Sequence, residues 1–382
     1  MGPDLLDVAV VGAGPVGAVA AALCARHGRR VEVFEARTAP ATDARTLALS
    51  HASRELIESA GGWPRSGTTA IDTIHISQKG APGRTLLSAC DQGLAALGYT
   101  VGFGALTGAL AEGLARSAVP VRYGCACDEI ALDGEGATLR FASGGNARAR
   151  LLVLADGGAN ASRIPGLAFH EKDYGQVAVV ARVTADRPHQ GRAYERFTPQ
   201  GPVALLPVEA GYALVYTARP REAERLLGLA DATFLLALQA HFGDRAGRFT
   251  AVEARASFPL RLRAINVPVA LRTAIVGNAA QALHPIAGQG LNLGLRDAVT
   301  LADLVQTAPD DAIGSPGMLQ AYAGSRRRDA TRGIAFTDFL ASAFAEGSFA
   351  PSWGRGLALT LLDLLPPARR ALAQRMIHGA AR

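Results

Sequence analysis

Residues 7–37 read DVAVVGAGPVGAVAAALCARHGRRVEVFEAR, and no other stretch limits the fold so tightly. Val8 to Val11 is a short continuous apolar run, the pattern of a strand buried on both faces. Gly12, Gly14 and Gly17 follow as G-x-G-x-x-G. Ala20, Ala21, Cys24 and Ala25 then recur at helical spacing, and Val31 to Phe34 is a second strand that ends in Glu35. A strand–turn–helix–strand unit of this size demands a parallel sheet, with the helix packed across it. Each glycine has a physical task. Gly12 permits the tight turn, Gly14 lets backbone approach a pyrophosphate, and Gly17 lets the helix pack close to the strand. The helix N-terminus supplies free N–H groups and partial positive charge to phosphates. Glu35 can accept from both hydroxyls of an adenosine ribose. The motif therefore reads as a site for the ADP half of a dinucleotide, and FAD and NAD both carry that half.

A second glycine-rich loop separates the two. Residues 274–299 read AIVGNAAQALHPIAGQGLNLGLRDAV. Ala274 to Gly277 has strand character, and Asn278 follows it. His284, Pro285, Gly288 and Gly290 then lead into a helix starting near Leu291, with Leu291, Leu295, Ala298 and Ala302 on one apolar face. FAD is long and needs one anchor for ADP and another for its ribityl chain and ring. A second helix N-terminus suits the anionic pyrimidine edge of a reduced flavin. Two glycines allow backbone to reach the ring without side-chain clash.

These blocks, with LVLADGGANASRI at residues 152–164, resemble the class A flavoprotein aromatic hydroxylases. Asn278 in place of the usual Asp, together with ARTLALS, TIHISQKGAPGRTLLSA, GRAYERFTPQGPVALLPV and the tail LLPPARRALAQRM, resembles the branch that hydroxylates ubiquinone precursors. Within it the likeness is greatest to the 2-polyprenyl-6-methoxyphenol hydroxylases, which act para to the phenol oxygen. The resemblance spans almost the whole chain. It implies a Rossmann-like α/β FAD-binding domain of the para-hydroxybenzoate-hydroxylase type, an inserted antiparallel-sheet substrate domain and C-terminal helices. It implies FAD as cofactor, NAD(P)H or another electron donor as reductant, and O2 as co-substrate. Gly12, Gly14, Gly17 and Glu35 would hold the ADP half, Arg45 would lie along the cofactor, and Asp156 with Gly157 would touch it. Asn278 would bond a ribityl hydroxyl, and Gly288, Gln289, Gly290, Leu291 and Asn292 would cradle the flavin. His284, Pro285, Gly288 and Gly290 would line the reaction site, mostly through backbone. Two departures stand out. Asn160 replaces the family's serine, although Arg163 keeps the arginine position, and this leaves the reductant open. Relatives carry Gln or Arg on the helix where this chain, over residues 102–115, offers only Thr107 and Glu112.

The segments fit that plan. Residues 1–70, 102–176 and 268–330 are assigned to a discontinuous FAD-binding domain. Residues 71–101 and 177–267 are assigned to the antiparallel sheet, interrupted by one helix near Asp231 to Phe242. Residues 331–382 are assigned to C-terminal helices. Phe197, Leu205, Pro207 and Tyr216 are candidates to line an apolar tunnel for a polyprenyl-phenol lipid. Arg369, Arg370 and Arg375 against Leu372, Met376 and Ile377 make a basic amphipathic segment. Packing on the core is the ordinary role of such a stripe, and contact with a membrane surface or a biosynthetic complex is the alternative.

Composition narrows the remainder. The formal charge of +6 is almost all arginine, since Lys79 and Lys172 are the only lysines. It comes with no aromatic-interleaved basic cluster, so no nucleic-acid partner is expected. Cys125 and Cys127 have no second pair, so no metal is expected and all four cysteines read as reduced. No secretory or membrane-spanning segment is evident, and the reading is cytoplasmic, with peripheral inner-membrane contact as a further expectation. Two other functions compete. One is a flavin hydroxylase of a small aromatic acid, with Arg196 or Arg219 gripping the carboxylate. The other is a non-catalytic flavin-holding scaffold.

Overall fold

The computed structural model describes residues 5–43, 45–80, 82–283, 289–343 and 352–379. Its organising element is a sheet whose central strands are Leu6–Val11 and Asn146–Leu154, paired in parallel. Val31–Glu35 and Val121–Tyr123 extend it on one side, and Thr273–Ile275 on the other, again in parallel. The apolar run at Val8 to Val11 is buried because both faces are covered. On one face lie the helices Pro15–Arg26, Phe103–Arg116 and Gln289–Thr307, whose Val19, Leu110 and Leu301 enter the core. On the other lies an antiparallel pair, Cys127–Leu132 and Ala137–Phe141, with Phe141 stacked on Phe34 at 4.7 Å. The sequence reading did not anticipate this pair.

A second, eight-stranded sheet is built around two 17-residue strands, Phe169–Ala185 and Phe249–Ile265. Its pairings are antiparallel except for Thr73–Gln78 against Arg192–Phe197. The helix Asp231–Phe242 forms where it was expected, and Pro220–Gly228 precedes it. Both cover one face of the sheet, burying Leu226, Phe234, Leu238 and Phe242 against Val179, Leu205 and Leu214. The opposite face turns toward the parallel sheet across a cavity. A small sheet of Thr46–Ser50, Gly98–Gly102 and Thr68–Ile71 bridges the two.

The chain ends in helices. Pro316–Ala343 is continuous through residue 330. Ser352–Leu364 packs along Arg84–Ser88, the edge strand of the large sheet. Asp363, which interrupts the late apolar run, accepts the Leu86 N–H at 2.8 Å, and Thr85 Oγ1 donates to the Leu359 carbonyl at 2.7 Å. The edge is thereby covered by helix rather than left open for another strand. On Pro366–His378, Ala373 and Ile377 are buried, with Leu372 and Met376 packed beside them. Arg369 pairs with Asp91 at 3.0 Å. The amphipathic stripe thus seats this helix on the core.

Candidate functional site

The first glycine turn is explained atom by atom. Gly12 has φ +105°, and a Cβ there would sit 2.7 Å from the Ala155 carbonyl oxygen. Its N–H donates to the Phe34 carbonyl at 2.8 Å. A Cβ on Gly17 would lie 2.1 Å from the Gly12 oxygen, so this glycine fixes the approach of helix to strand. Gly14 is different. Its φ is an ordinary −67°, and a Cβ would meet nothing within 4 Å. Nothing inside the protein demands glycine at this helix N-cap; open space beside free N–H groups does fit a pyrophosphate. Glu35 Oε2 accepts the Ala13 N–H at 2.8 Å, and Oε1 accepts the Arg37 N–H at 3.0 Å, so the acid organises the turn it faces. Four acceptor positions on a carboxylate leave room for a ribose hydroxyl as well.

Asp156 organises the next turn. Its carboxylate accepts the N–H of Gly158 at 2.9 Å and, at 2.8 Å each, the backbone and side-chain N–H of Asn160. Asn160 in place of serine therefore closes an internal turn. Arg45 stacks 4.5 Å over Phe103 and bonds Asp43 at 2.7 Å, which holds the Asp43 carboxyl below its ordinary range through that hydrogen bond. Thr107 donates to the Ala41 carbonyl at 2.7 Å, and Glu112 pairs with Arg116, so neither replaces the missing Gln or Arg.

The second loop is met where the described residues resume. The strand Thr273–Ile275 runs into a single 3-10 turn, Gly277–Ala279, and Asn278 is exposed there with no side-chain partner among the described residues. His284, Pro285 and Gly288 lie outside the described residues. The helix begins at Gln289. At Gly290 a Cβ would again meet nothing within 4 Å. At Gly294 it would lie 2.8 Å from Gly277 Cα and 2.9 Å from a Val16 methyl, which locks this helix against the first. The Asn292 side chain accepts the Ser50 N–H at 2.9 Å and donates to the Ala48 carbonyl at 3.3 Å, and the residue lines the site.

Behind the Gly277–Ala279 turn lies a buried ionic network that the sequence reading missed. Asp297 accepts from Gly277 N–H at 3.0 Å, from Gln281 and Arg326 at 2.6 Å each, and Arg326 and Arg296 both reach Asp329. Burial alone would raise the Asp329 pKa, but Arg296 and Arg326 pull it below the ordinary value. The two-carboxylate, two-arginine set fixes the strand end and the helix as one body.

The two glycine-bearing turns face one cavity of about 780 Å3. Gly12, Gly14, Glu35, Arg45 and Asp156 line it, as do Asn278, Gly290, Leu291 and Asn292. These nine residues of the sequence-derived cofactor set thus share one wall, with Gly17 acting behind it. The substrate-side residues do not. Leu205 and Tyr216 are buried under the covering helices, and Pro207 shares their face of the strand. Phe197 packs with Ile76, Leu87 and Ala373. The lining comes from the alternate positions Ala204, Leu206, Val215 and Thr217. A one-residue change of parity exchanges the faces of a strand, and VALLPV is apolar on both.

The sequence profile of the FAD-binding domain family matches residues 5–337. The chain belongs to that family. The FAD-binding domain chain is 33% identical over 376 residues to the ubiquinone hydroxylase UbiL of Rhodospirillum rubrum, covering 95% of this chain and 87% of that protein. It is 31% identical to the 3-demethoxyubiquinol 3-hydroxylase of Escherichia coli, covering 85% and 86%. Its fold is that of p-nitrophenol 4-monooxygenase PnpA from Pseudomonas putida, with TM-score 0.77, 18% identity and 99% of each chain covered. PqsL of Pseudomonas aeruginosa superposes with TM-score 0.75 at 24% identity, over 93% of this chain and 99% of that one. The resemblance to ubiquinone-branch flavin hydroxylases is borne out by these relatives. The residues fit FAD on the structure's own terms, since two helix N-termini, each with a glycine open to the cavity, face the same space.

Among the described residues no helix is long and apolar enough to cross a membrane, and no cluster of three or more His, Cys, Asp or Glu could hold a metal. Burial pushes the Cys24 thiol up to about 12 and the Cys127 thiol up to about 11, so both stay protonated near neutrality.

Proposed function

We propose that this chain is an FAD-dependent monooxygenase that hydroxylates the aromatic ring of a polyprenylated phenol in ubiquinone biosynthesis. The observation that carries the reading is a single cavity on which both glycine-bearing helix N-termini and an apolar sheet wall open. Bound FAD supplies the activation of O2, with NAD(P)H or another donor as its reductant. The protein's part is binding, orientation and exclusion of water. Gly14 and the N–H groups beside it would receive the pyrophosphate, Glu35 the ribose and Asn278 a ribityl hydroxyl. The N–H groups of Gly290, Leu291 and Asn292 would face the pyrimidine edge of the ring. Ile74, Leu97, Leu206 and Val215 would keep water from the reacting ring carbon. Leu87, Met376 and Ile377 continue the apolar lining and suit an isoprenoid tail.

The names of the two relatives support the substrate class, and the reading is stated for a polyprenylated phenol rather than for one ring position. A small aromatic acid would need a cation beside the ring. Arg196 is buried on the opposite face, donating to Ser77 Oγ at 3.3 Å, and Arg219 is not on the wall; of the lining arginines, Arg37 bonds Glu35 beside the first glycine turn and Arg45 stacks over Phe103. Leu357, Leu361, Leu364 and Leu365 are exposed along the Ser352–Leu364 helix and just beyond it, near exposed Arg370. This strip supports contact with an anionic lipid surface beside the helix that lines the cavity. The test of function is lipid analysis of a deletion strain. Loss of quinone with build-up of a polyprenyl-phenol is expected; an unchanged quinone pool, or NAD(P)H oxidation stimulated only by soluble aromatic acids, would overturn the reading.

A further inference from the structure

We propose that Glu195 is the residue that receives the phenolic hydroxyl of the ring substrate and takes up its proton. The inference rests on the reading just given, that the substrate is a phenol. Glu195 lies in the strand Arg192–Phe197, opposite Ala204 on one side and Ile76 on the other. Ala204 in turn lies opposite Val215, so Glu195, Ala204 and Val215 form one row on the cavity face of the sheet. That wall is apolar apart from Glu195 and Thr217; Tyr194 also reaches the cavity, but its hydroxyl is turned away to the Arg245 carbonyl at 3.0 Å.

The carboxyl is half-buried, and no described residue hydrogen-bonds to it or pairs with it. An unpaired carboxyl withdrawn from water is costly, and a protein that retains one has a use for it. Among the described residues none reaches it, which leaves it to the occupant of the cavity. That occupant must offer a donor next to apolar surface, which describes a phenol hydroxyl on a hydrocarbon ring.

The surroundings set its proton affinity. Arg192, Tyr194 and Arg196 alternate onto the other face of its strand, and His75 lies beside Tyr194 on the neighbouring strand. The facing helix Pro366–His378 presents Ala373, Met376 and Ile377. The other ionisable side chains on the cavity, Glu35, Arg37, Arg45, Asp156 and the two cysteines, belong to the parallel-sheet half. With no charge to offset it, burial pushes the Glu195 carboxyl up to about 7. A base with that value is half-ionised at working pH, where general-base transfer is most effective.

The proton transfer balances between the residue and the substrate. The phenol O–H bond breaks, its electron pair stays on oxygen, and the proton bonds to a Glu195 oxygen. The phenolate pushes density to the ring carbons ortho and para to it, the positions open to an electrophilic oxygen. Once the new C–O bond has formed, the C–H bond at that carbon breaks, its proton goes to the second atom of O2, which leaves as water, and the ring regains its aromaticity; Glu195 then returns the first proton to the phenolate oxygen.

The experiment uses FAD-loaded protein with 2-farnesylphenol and its O-methyl ether, read by the perturbation of flavin absorbance on binding, and by pH-dependent turnover of the phenol. The wild type is expected to bind the phenol at least about tenfold tighter than the ether, with turnover falling below about pH 7. Glu195→Gln should erase that acid limb and lower kcat by about 100-fold or more, with KM moving less than threefold, and Glu195→Ala should lose the preference for phenol over ether. Flavin content should match the wild type in both variants, and melting temperature near neutrality should be no lower than the wild type's, since each substitution removes a costly unpaired carboxyl. An acid limb that survives in Glu195→Gln with kcat within threefold would overturn the assignment to Glu195 while leaving phenol hydroxylation intact. A wild type that binds and turns over no prenylated phenol would overturn both.

Discussion

Gly14 and Gly17 sit three residues apart in one motif, and the structure assigns them separable tasks. Substitution by alanine adds one methyl group at each. At Gly17 that methyl would fall 2.1 Å from the Gly12 oxygen and 2.9 Å from Ala155 Cβ, so helix and strand must move apart. Overpacking of this kind costs about 1–3 kcal/mol. At roughly 2–4 °C per kcal/mol for a large domain, the melting temperature of the FAD-free protein should fall by about 2–12 °C. At Gly14 the methyl meets nothing within 4 Å and the backbone is already in a region any residue adopts. The FAD-free protein should lose less than about 1 kcal/mol, the difference between glycine and alanine at a helix N-cap. FAD affinity should nevertheless drop at least about tenfold, equivalent to about 1.4 kcal/mol, because the methyl stands where the pyrophosphate would approach. Thermal unfolding of the FAD-free variants and titration with FAD measure both quantities. A Gly14→Ala protein that binds FAD as tightly as the wild type would refute this assignment of the cavity's first helix end.

Three further predictions follow from other parts of the molecule. Leu205→Ala should destabilise the protein by about 2–5 kcal/mol in urea unfolding, whereas Leu206→Ala should leave stability nearly intact and raise KM for a prenylated phenol. Asp297→Ala, which strands Arg326 in the interior, should cost about 3–5 kcal/mol and weaken FAD binding, because the Gly277 N–H loses its acceptor. Burial lowers His75 and His241 to about 4, so both are neutral when folded. Their contribution is complete above an unfolded value near 6.5 and declines as pH falls toward 4, at about 1.4 kcal/mol per pH unit for each. Glu195, raised to about 7, acts in the opposite sense: its contribution is complete below about 4.5 and declines as pH rises through 7. Urea midpoints between pH 4 and 8 should show the histidine slope flatten in His241→Phe.

What could be read from the sequence was whatever depends on neighbours along the chain. The first strand, turn, helix and Glu35 lie within 37 residues and announce themselves through glycine spacing and apolar period. The helix Asp231–Phe242 was equally local. The pair Cys127–Leu132 and Ala137–Phe141 carried a signal, since alternation flanks Asp133-Gly134, but it was passed over. The sheet face was not legible at all. In VALLPV every position is apolar, because helices cover one face and the cavity the other, so the period of two had nothing to report. The pairing of Asp297 with Arg326, 29 residues away, depends on how two helices cross, which no local pattern encodes. Glu195 stood in plain view within GRAYERF, but only the apolar row around it shows that it has no partner.

The central claim is that this cavity brings FAD, oxygen and a prenylated phenol together. Incubation of FAD-loaded protein with a reductant, 18O2 and 2-farnesylphenol, followed by mass spectrometry of the lipid, tests it most directly. A hydroxylated phenol carrying one 18O atom on its ring is the expected product. Reductant consumed to hydrogen peroxide with the phenol recovered unchanged, or a product whose new oxygen comes from water, would contradict the account.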